Sequence, residues 1–517
     1  MTFDQLLNLV SSKDTPDRPR LCTDSRLVKK NDIFVAIKGS AYDGHDFINQ
    51  AVKNGAKYIV SQKPITSHEP QATGYEIITV NDSAKAAADL AQASKGNPAS
   101  HLTNLAVTGT NGKTTVAFLV RSCLQSAGKK CGLIGTIVYD TASENYAAYL
   151  TTPDPLAIAQ MQEQMLKAGA KYMVIEASSH ALDQGRLAAI NFKAAAFTNL
   201  TGDHLDYHKT QSHYLAAKTK LFQSLSSDAT AVLNKQSPQA KLIAEKTKAN
   251  ILWYAIDSPA DLTAHIESID ITGTVFTIQS RVTGHESRVT GHKPRVTGHE
   301  SRATGHKPRV TGHESRATIK TPLLGRYNIS NHLAAAGLCL AAGLNLKTIA
   351  GGLSTLKTIP GRLEKLDWNG DFSVIIDYAH TDDALKNVLA TLKPLCTANL
   401  LVVFGCGGDR DRTKRPRMAA VAEQLADFIV VTSDNPRTEK PQNIIDEIVA
   451  GFENPSSENI KIEPDRKKAI HLTLKTANKG DIVLIAGKGH ETYQIIGNQK
   501  FDFCDKSVAK EFLTKRK

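Results

Sequence analysis

The run Val107-Thr108-Gly109-Thr110-Asn111-Gly112-Lys113-Thr114-Thr115 carries the clearest chemistry in the chain. It follows apolar Leu102, Leu105 and Ala106 and precedes a helical pattern of Val116, Phe118, Leu119, Val120, Cys123 and Leu124. A strand, a glycine-rich turn and a helix opening on Lys-Thr-Thr form a polyphosphate cradle. The glycines let backbone N–H groups approach phosphate oxygens, and the helix N-terminus adds partial positive charge. Lys113 would reach the outer phosphates, and the Thr114 hydroxyl would sit on Mg²⁺. A strict Walker pattern wants a glycine where Val107 stands, so this is a shorter loop. The first expectation is ATP with Mg²⁺, held by Gly109, Thr110, Asn111, Gly112, Lys113, Thr114 and Thr115.

Four further groups could do chemistry. In Val174-Ile175-Glu176-Ala177-Ser178-Ser179-His180, a carboxylate at a strand end opposite the phosphate loop can ligate Mg²⁺ directly or through water, or can cap a helix. The stretch Thr198-Asn199-Leu200-Thr201-Gly202-Asp203-His204-Leu205-Asp206-Tyr207-His208 packs hard and borderline metal ligands into one loop. Lys218 falls on an apolar helical face in Tyr214–Lys220; it is an odd residue to bury unmodified, though spacing alone also suits a snorkelling surface lysine. The fourth group joins Gly405–Arg412, Ser433–Arg437 and Gly487–Glu491, three loops that each follow an apolar strand and so meet at one sheet edge. Arg410 and Arg437 can each take a carboxylate bidentately and Glu491 can take an ammonium, which together describe an amino-acid site.

The elements that must position these groups read as α/β throughout. At 517 residues the chain exceeds one core, and roughly three domains are expected. Residues 1–100 read as a small α/β unit, with strands at Phe34–Ile37, Tyr58–Ser61 and Tyr75–Val80, a helix beginning at Ala51 and a linker at Asn97–Ser100. Residues 101–358 alternate strands (Leu105–Thr108, Gly132–Ile134, Tyr172–Ala177, Ala194–Thr198, Ala231–Leu233) with helices, as in a doubly wound, mostly parallel sheet. Residues 359–517 restart the pattern as a Rossmann-like unit, with strands at Ser373–Asp377, Leu400–Phe404, Phe428–Val431 and Ile482–Ile485.

Residues 281–315 are five seven-residue units built on Arg-Val/Ala-Thr-Gly-His. One small apolar position per seven cannot form a coiled-coil seam. Thr274–Gln279 and Ala317–Leu323 read as the strands of a hairpin, with the array a disordered, solvated extension at its tip. The array's five histidines follow from the repeat itself, so metal binding is not expected there.

The bulk numbers exclude several classes. Net charge is +12, but residues 281–316 carry six Arg, two Lys and three Glu and supply +5 of it. No basic stripe is interleaved with aromatics, so no nucleic-acid partner is expected, and an anionic small substrate accounts for a mildly basic enzyme. No run of about 18 apolar residues and no basic-then-apolar leader occurs, so neither a membrane span nor a secretory signal is expected. Seven scattered cysteines without a Cys-x-x-Cys pair point to reduced thiols in a cytoplasm.

Thr108–Thr115, Glu176–His180, Thr198–His208 and Asp377-Tyr378-Ala379-His380-Thr381 together resemble the ATP-dependent Mur ligases of peptidoglycan synthesis, over nearly the whole chain outside the array. In that family Asp-Asn-Pro-Arg marks the diaminopimelate-adding members, and here it stands at 434–437. The resemblance implies Lys113, Glu176, His204 and Lys218 as catalytic or metal-site positions. Thr114, Glu176, His204 and Lys218 would hold the metal, Lys218 once carbamoylated. It implies nucleotide contacts from Asn331, Arg362 and Asp377. It implies a UDP-muramoyl-dipeptide site of Thr23, Ser25, Ser40, Ala41, Tyr42, Thr151, Thr152, Ser178, Gln184 and Arg186, with Leu150 where some members have Asn. It implies a diaminopimelate site of Arg410, Asp434, Asn435, Pro436, Arg437, Gly487 and Glu491. The implied activity is amide ligation through an acyl phosphate by a cytoplasmic monomer acting on small molecules, with domain closure to unite the substrates. A lysine-adding relative and a folylpolyglutamate synthase are the rival enzymes. A non-catalytic nucleotide-gated binding module, with the array as its interaction arm, is the rival of another class.

Overall fold

A computed structural model describes residues 1–12, 18–39, 42–64, 74–281 and 315–516. Three parallel-cored sheets follow one another along the chain. The first has four parallel strands, Leu21–Cys22, Ile33–Val35, Tyr58–Ser61 and Glu76–Thr79. Leu6 and Val10 of helix Phe3–Ser11 pack with Ala86, Ala87 and Leu90 of helix Ser83–Ser94 over one of its faces. The strand expected at Phe34–Ile37 runs instead over Ile33–Val35, the residues that pair with Tyr58–Val60, and the helix expected from Ala51 begins at Ile48. Asn97–Ser100, read as a linker, joins the first unit to the second as an ordered segment. Pro98–His101 is a 3₁₀ turn whose Ala99 N–H donates to the Gln92 Oε1, while Gln92 Nε2 donates to Gln162 Oε1 at 2.7 Å inside the helix contact between the first two units.

The second sheet has eleven strands. Its parallel centre runs Asn250–Ile256, Thr230–Asn234, Phe192–Phe197, Thr103–Thr108, Tyr172–Glu176 and Cys131–Ile134. Leu105, Ala106 and Val107 are fully buried, as a strand covered by helices on both faces requires. Helices Lys113–Ser126 and Arg326–Ala341 cover one face, and Pro155–Lys167 and Gln211–Gln223 the other. Strand Thr103–Thr108 sits between Phe192–Phe197 and Tyr172–Glu176, so the chain reverses direction across the sheet beside the phosphate loop, where open α/β sheets bind ligands. Strands Gly273–Ser280 and Ser315–Thr321 pair antiparallel as expected, with Ser280 opposite Ser315. The array between them, expected to be disordered, lies outside the described residues.

The third sheet has six strands. Ser373–Asp377, Ile482–Ala486, Leu400–Phe404, Phe428–Val431 and Ile460–Ile462 are parallel, and Glu364–Lys365 joins antiparallel. A separate hairpin, Tyr493–Ile496 with Gln499–Asp502, follows the last parallel strand. All seven cysteines are unpaired. Among the described residues no helix is long and apolar enough to cross a membrane.

Candidate active site

The carboxyl ends of the central strands and one edge of the third sheet enclose a cleft of about 500 Å³. Gly112 closes the phosphate loop at φ +92°, and a Cβ there would lie 2.3 Å from Asn331 Oδ1, so only glycine lets the turn pass beneath helix Arg326–Ala341. No side chain caps helix Lys113–Ser126, which leaves its first N–H groups facing the cleft. Lys113 Nζ donates to Gly109 O at 2.9 Å and Thr110 O at 2.8 Å. Asn199 Oδ1 accepts the Asn111 N–H at 2.9 Å, and Thr198 Oγ1 donates to Asn111 O at 2.6 Å, so the neighbouring strand end fixes the loop. Thr110 and Thr115 also line the cleft, and Thr110 Oγ1 lies 3.2 Å from the Tyr214 hydroxyl.

Glu176 is fully buried at the cleft floor. Its carboxylate accepts from Thr114 Oγ1 at 2.9 Å, the Thr136 N–H at 2.9 Å and Thr136 Oγ1 at 3.0 Å. Thr136, which sequence reasoning missed, follows the strand Cys131–Ile134 through Gly135; a Gly-Thr pair at a parallel strand's end was the available signal. Lys218 is buried rather than snorkelling: Nζ donates to Gly109 O at 2.9 Å and sits 4.4 Å from the Tyr214 ring centre. Burial, then repulsion from Lys113, holds its amine well below the usual lysine range, against a smaller opposing pull from Asp203. His204, at φ +55°, lines the same cleft beside His180, and desolvation lowers its imidazole to about 4.

The third sheet supplies the opposite wall. Arg362 Nη2 donates to Thr114 Oγ1 at 3.3 Å, its guanidinium stacks 4.7 Å over Tyr378, and its Nε is buried without a partner among the described residues. Asp377 accepts the Leu363 N–H at 2.7 Å and the Ala379 N–H at 2.8 Å, which anchors the Arg362 loop, and burial raises its carboxyl. Asn111 Nδ2 donates to Asp383 Oδ2 at 3.0 Å, a second contact between the phosphate loop and the third sheet's helices.

Among the described residues no three His, Cys, Asp or Glu are grouped to hold a metal ion. The Thr114 hydroxyl against the Glu176 carboxylate still suits Mg²⁺, which binds through one or two protein oxygens and completes its shell with phosphate and water.

The residues assigned to the muramoyl-dipeptide divide. Thr151 Oγ1 lies 3.1 Å from Thr136 Oγ1, Thr152 Oγ1 donates to Glu176 O at 2.6 Å, and the Ser178 N–H donates to Thr152 Oγ1 at 3.0 Å. Arg186 donates to Thr152 O at 2.7 Å and twice to Gln184 Oε1, completing one network beside Glu176. Thr23, Ser25 and Tyr42 belong to the first unit; Ser25 is buried, Thr23 and Tyr42 exposed. Ser40 and Ala41 lie outside the described residues.

The amino-acid loops do converge. A Cβ at Gly407 would lie 2.9 Å from Arg437 Nη1 and 4.0 Å from Arg410 Cγ, so both arginines flank one turn. Nearby Arg412, Arg415 and Arg417 are paired with Glu447, Glu439 and Asp382, whereas Arg410 and Arg437 have no carboxylate partner among the described residues. Arg437 Nη1 donates to Gly408 O at 2.7 Å. The hairpin holds the Asp-Asn-Pro-Arg turn: the Ile495 N–H donates to Asn435 Oδ1 at 2.9 Å and the Arg437 N–H to Ile495 O at 3.1 Å, with Pro436 buried between. Glu491, expected as the ammonium acceptor, has one of its two carboxylate oxygens already engaged. Its Oε2 already accepts from Asn435 Nδ2 at 2.9 Å and Lys488 Nζ at 3.0 Å. His490, in the same loop, stacks 5.2 Å from Tyr378 and so links this cluster to the nucleotide cleft.

A phosphate loop at the centre of one sheet, roofed by an arginine-bearing edge of another, defines a P-loop protein with a second, amino-acid-like subsite. The chain belongs to the Mur ligase family: residues 20–95 match its "Mur ligase family, catalytic domain", 107–339 its "Mur ligase middle domain" and 361–489 its "Mur ligase, glutamate ligase domain". A UDP-N-acetylmuramoyl-L-alanyl-D-glutamate–2,6-diaminopimelate ligase of Geobacillus thermodenitrificans is 41% identical over 510 residues, 97% of this chain and 96% of its own. One of the same name from Bacillus cereus is 39% identical over 513 residues, 98% and 96% of the two chains. A solved structure of that name superposes with a TM-score of 0.63 at 30% identity, over 100% of this chain and 99% of its own.

Proposed function

We propose that this protein is an ATP-dependent ligase that joins meso-diaminopimelate to the γ-carboxylate of D-Glu in UDP-N-acetylmuramoyl-L-Ala-D-Glu. The observation that carries the amino-acid choice is the pair of arginines, Arg410 and Arg437, flanking one turn without acid partners among the described residues, while Arg412, Arg415 and Arg417 are paired. An unpaired arginine fork beside Asp434 and Glu491 suits an end group with both a carboxylate and an ammonium. In this reading residues 1–100 hold the uridine end, 101–358 the triphosphate and 359–517 the amino acid.

The reaction has two stages. Lys113, the free N–H groups of helix Lys113–Ser126 and Arg362 draw charge from the triphosphate, which lets an anionic carboxylate approach the γ-phosphorus. The carboxylate oxygen forms the new P–O bond, the bond to ADP breaks, and an acyl phosphate results. The amine, placed by the Arg437 and Glu491 loops, then attacks the acyl carbon, and the tetrahedral adduct collapses with release of phosphate. Thr114, Glu176, His204 and a carbamoylated Lys218 would hold Mg²⁺, which supplies Lewis-acid neutralisation of the developing phosphate charge. Burial holds the Lys218 amine well below the usual lysine range, which favours the uncharged form that adds CO₂. Thr151, Thr152, Ser178, Gln184 and Arg186 orient the dipeptide beside Glu176.

Phosphate release measured across a panel of amino acids, with the nucleotide-sugar dipeptide and ATP fixed, tests this. Diaminopimelate should give the highest turnover; preference for lysine or for glutamate would move the chain to one of its sibling activities.

A further inference from the structure

Lys488 is a charged side chain with no place in the reaction derived above. It is fully buried, 3.0 Å from Glu491 Oε2, 3.1 Å from Asn435 Oδ1 and 3.9 Å from Asp434 Oδ1, with the Tyr493 ring at 5.6 Å. Gly487 precedes it at φ +112°, where a Cβ would lie 2.7 Å from Asp434 Oδ2. The Asp434 carboxylate makes no hydrogen bond among the described residues. Behind the cluster, Arg466 and Asp505 form a bidentate pair, both fully buried, that adds no net charge.

We infer that Lys488 sets the charge of the amino-acid pocket, so that Asp434 and Glu491 accept one ammonium and the pocket prefers a zwitterionic end group to a purely cationic one. This rests on the function proposed above. Two carboxylates and one lysine leave a formal charge of −1. One ligand ammonium offsets it, and the ligand carboxylate goes to Arg410 and Arg437. A side chain ending in ammonium alone leaves the arginine fork unpaired. Without Lys488 the acidic side carries −2, which favours extra cationic charge and repels the ligand carboxylate. Lys488 acts through its neighbours and is a positioning residue.

The test compares kcat/KM for meso-diaminopimelate and L-lysine in the full-length enzyme. Lys488→Met, close in volume, should lower the diaminopimelate-to-lysine ratio by about 10- to 100-fold, through KM for the amino acid, with KM for ATP unchanged. Lys488→Arg should keep most of the ratio. Lys488→Met with Glu491→Gln returns the pocket to −1 and should recover much of the ratio, a rescue that loss of packing cannot give. Wild-type enzyme using neither amino acid would overturn the proposed function. Wild-type discrimination that Lys488→Met leaves unchanged would overturn only the charge-setting role. Should Lys488→Met fail to fold, the double variant decides: recovered selectivity supports the role, and lost selectivity in a folded double variant overturns it.

Discussion

Arginine 437 offers a perturbation whose size can be worked from its contacts. One guanidinium nitrogen donates to Gly408 O at 2.7 Å, and the group has no carboxylate partner among the described residues. Its remaining donors are therefore available to a ligand carboxylate. A hydrogen bond to a charged group contributes about 1.5–3 kcal/mol, so Arg437→Ala should raise KM for diaminopimelate about 10- to 150-fold. KM for ATP and for the nucleotide-sugar dipeptide should stay near the wild-type values. Arg437→Lys keeps the charge and loses the fork, so it should fall between. Arg412→Ala is the matched control: it removes an arginine from the adjoining loop that is already paired with Glu447, and it should leave all three KM values alone. Initial rates of phosphate release, varying one substrate at a time, give each KM. A rise shared equally by the three substrates, or an Arg412→Ala defect as large as that of Arg437→Ala, would refute the carboxylate assignment.

Lys218→Ala should lower kcat by about 10²-fold or more, with partial rescue by short carboxylic acids; unaltered turnover in phosphate-release assays would remove Lys218 from the metal site. Burial lowers the His332 imidazole to about 4, where its Nε2 has no partner among the described residues and Nδ1 lies 2.6 Å from Asn328 O. Between that value and the ordinary imidazole pKa the unfolded chain binds a proton that the folded chain does not, so stability falls as pH drops through this window. The loss is on the order of 2 kcal/mol between about pH 7 and pH 5, and His332→Gln should show a correspondingly shallower decline in urea denaturation at the two pH values; parallel declines would contradict it. Ser280 and Ser315 face each other in the hairpin, so a short Asn-Gly turn in place of residues 281–314 should preserve the fold and amino-acid-dependent phosphate release. Loss of that activity in a folded deletion variant would give the array a part in catalysis.

Four strands of the third sheet were legible because each is an apolar run, such as Leu400–Phe404, ended by glycine or polar residues, whereas the short, half-polar Glu364–Lys365 and Ile460–Ile462 were not. The phosphate loop was legible because its turn needs glycine and lysine at fixed offsets. What escaped depends on partners distant in sequence. Leu21–Cys22 is a strand only because Ile33 and Phe34 lie beside it. The hairpin at Tyr493–Asp502 carries no chemistry of its own, yet Ile495 fixes Asn435 and Arg437. Asn97–Ser100 has the composition of a linker, and the Gln92–Gln162 contact that orders it joins residues far apart in the chain. Glu491 read as an acceptor from its type alone; that Lys488 and Asn435 already occupy one of its oxygens follows from packing.

The central claim is that a substrate carboxylate is phosphorylated by ATP before an amine captures it. Dipeptide substrate labelled with ¹⁸O in the D-Glu γ-carboxylate tests this directly when the released phosphate is analysed by mass. Transfer of one labelled oxygen to phosphate, dependent on both ATP and diaminopimelate turnover, is the predicted result. Product formation with unlabelled phosphate would contradict the acyl-phosphate route and the roles assigned along it.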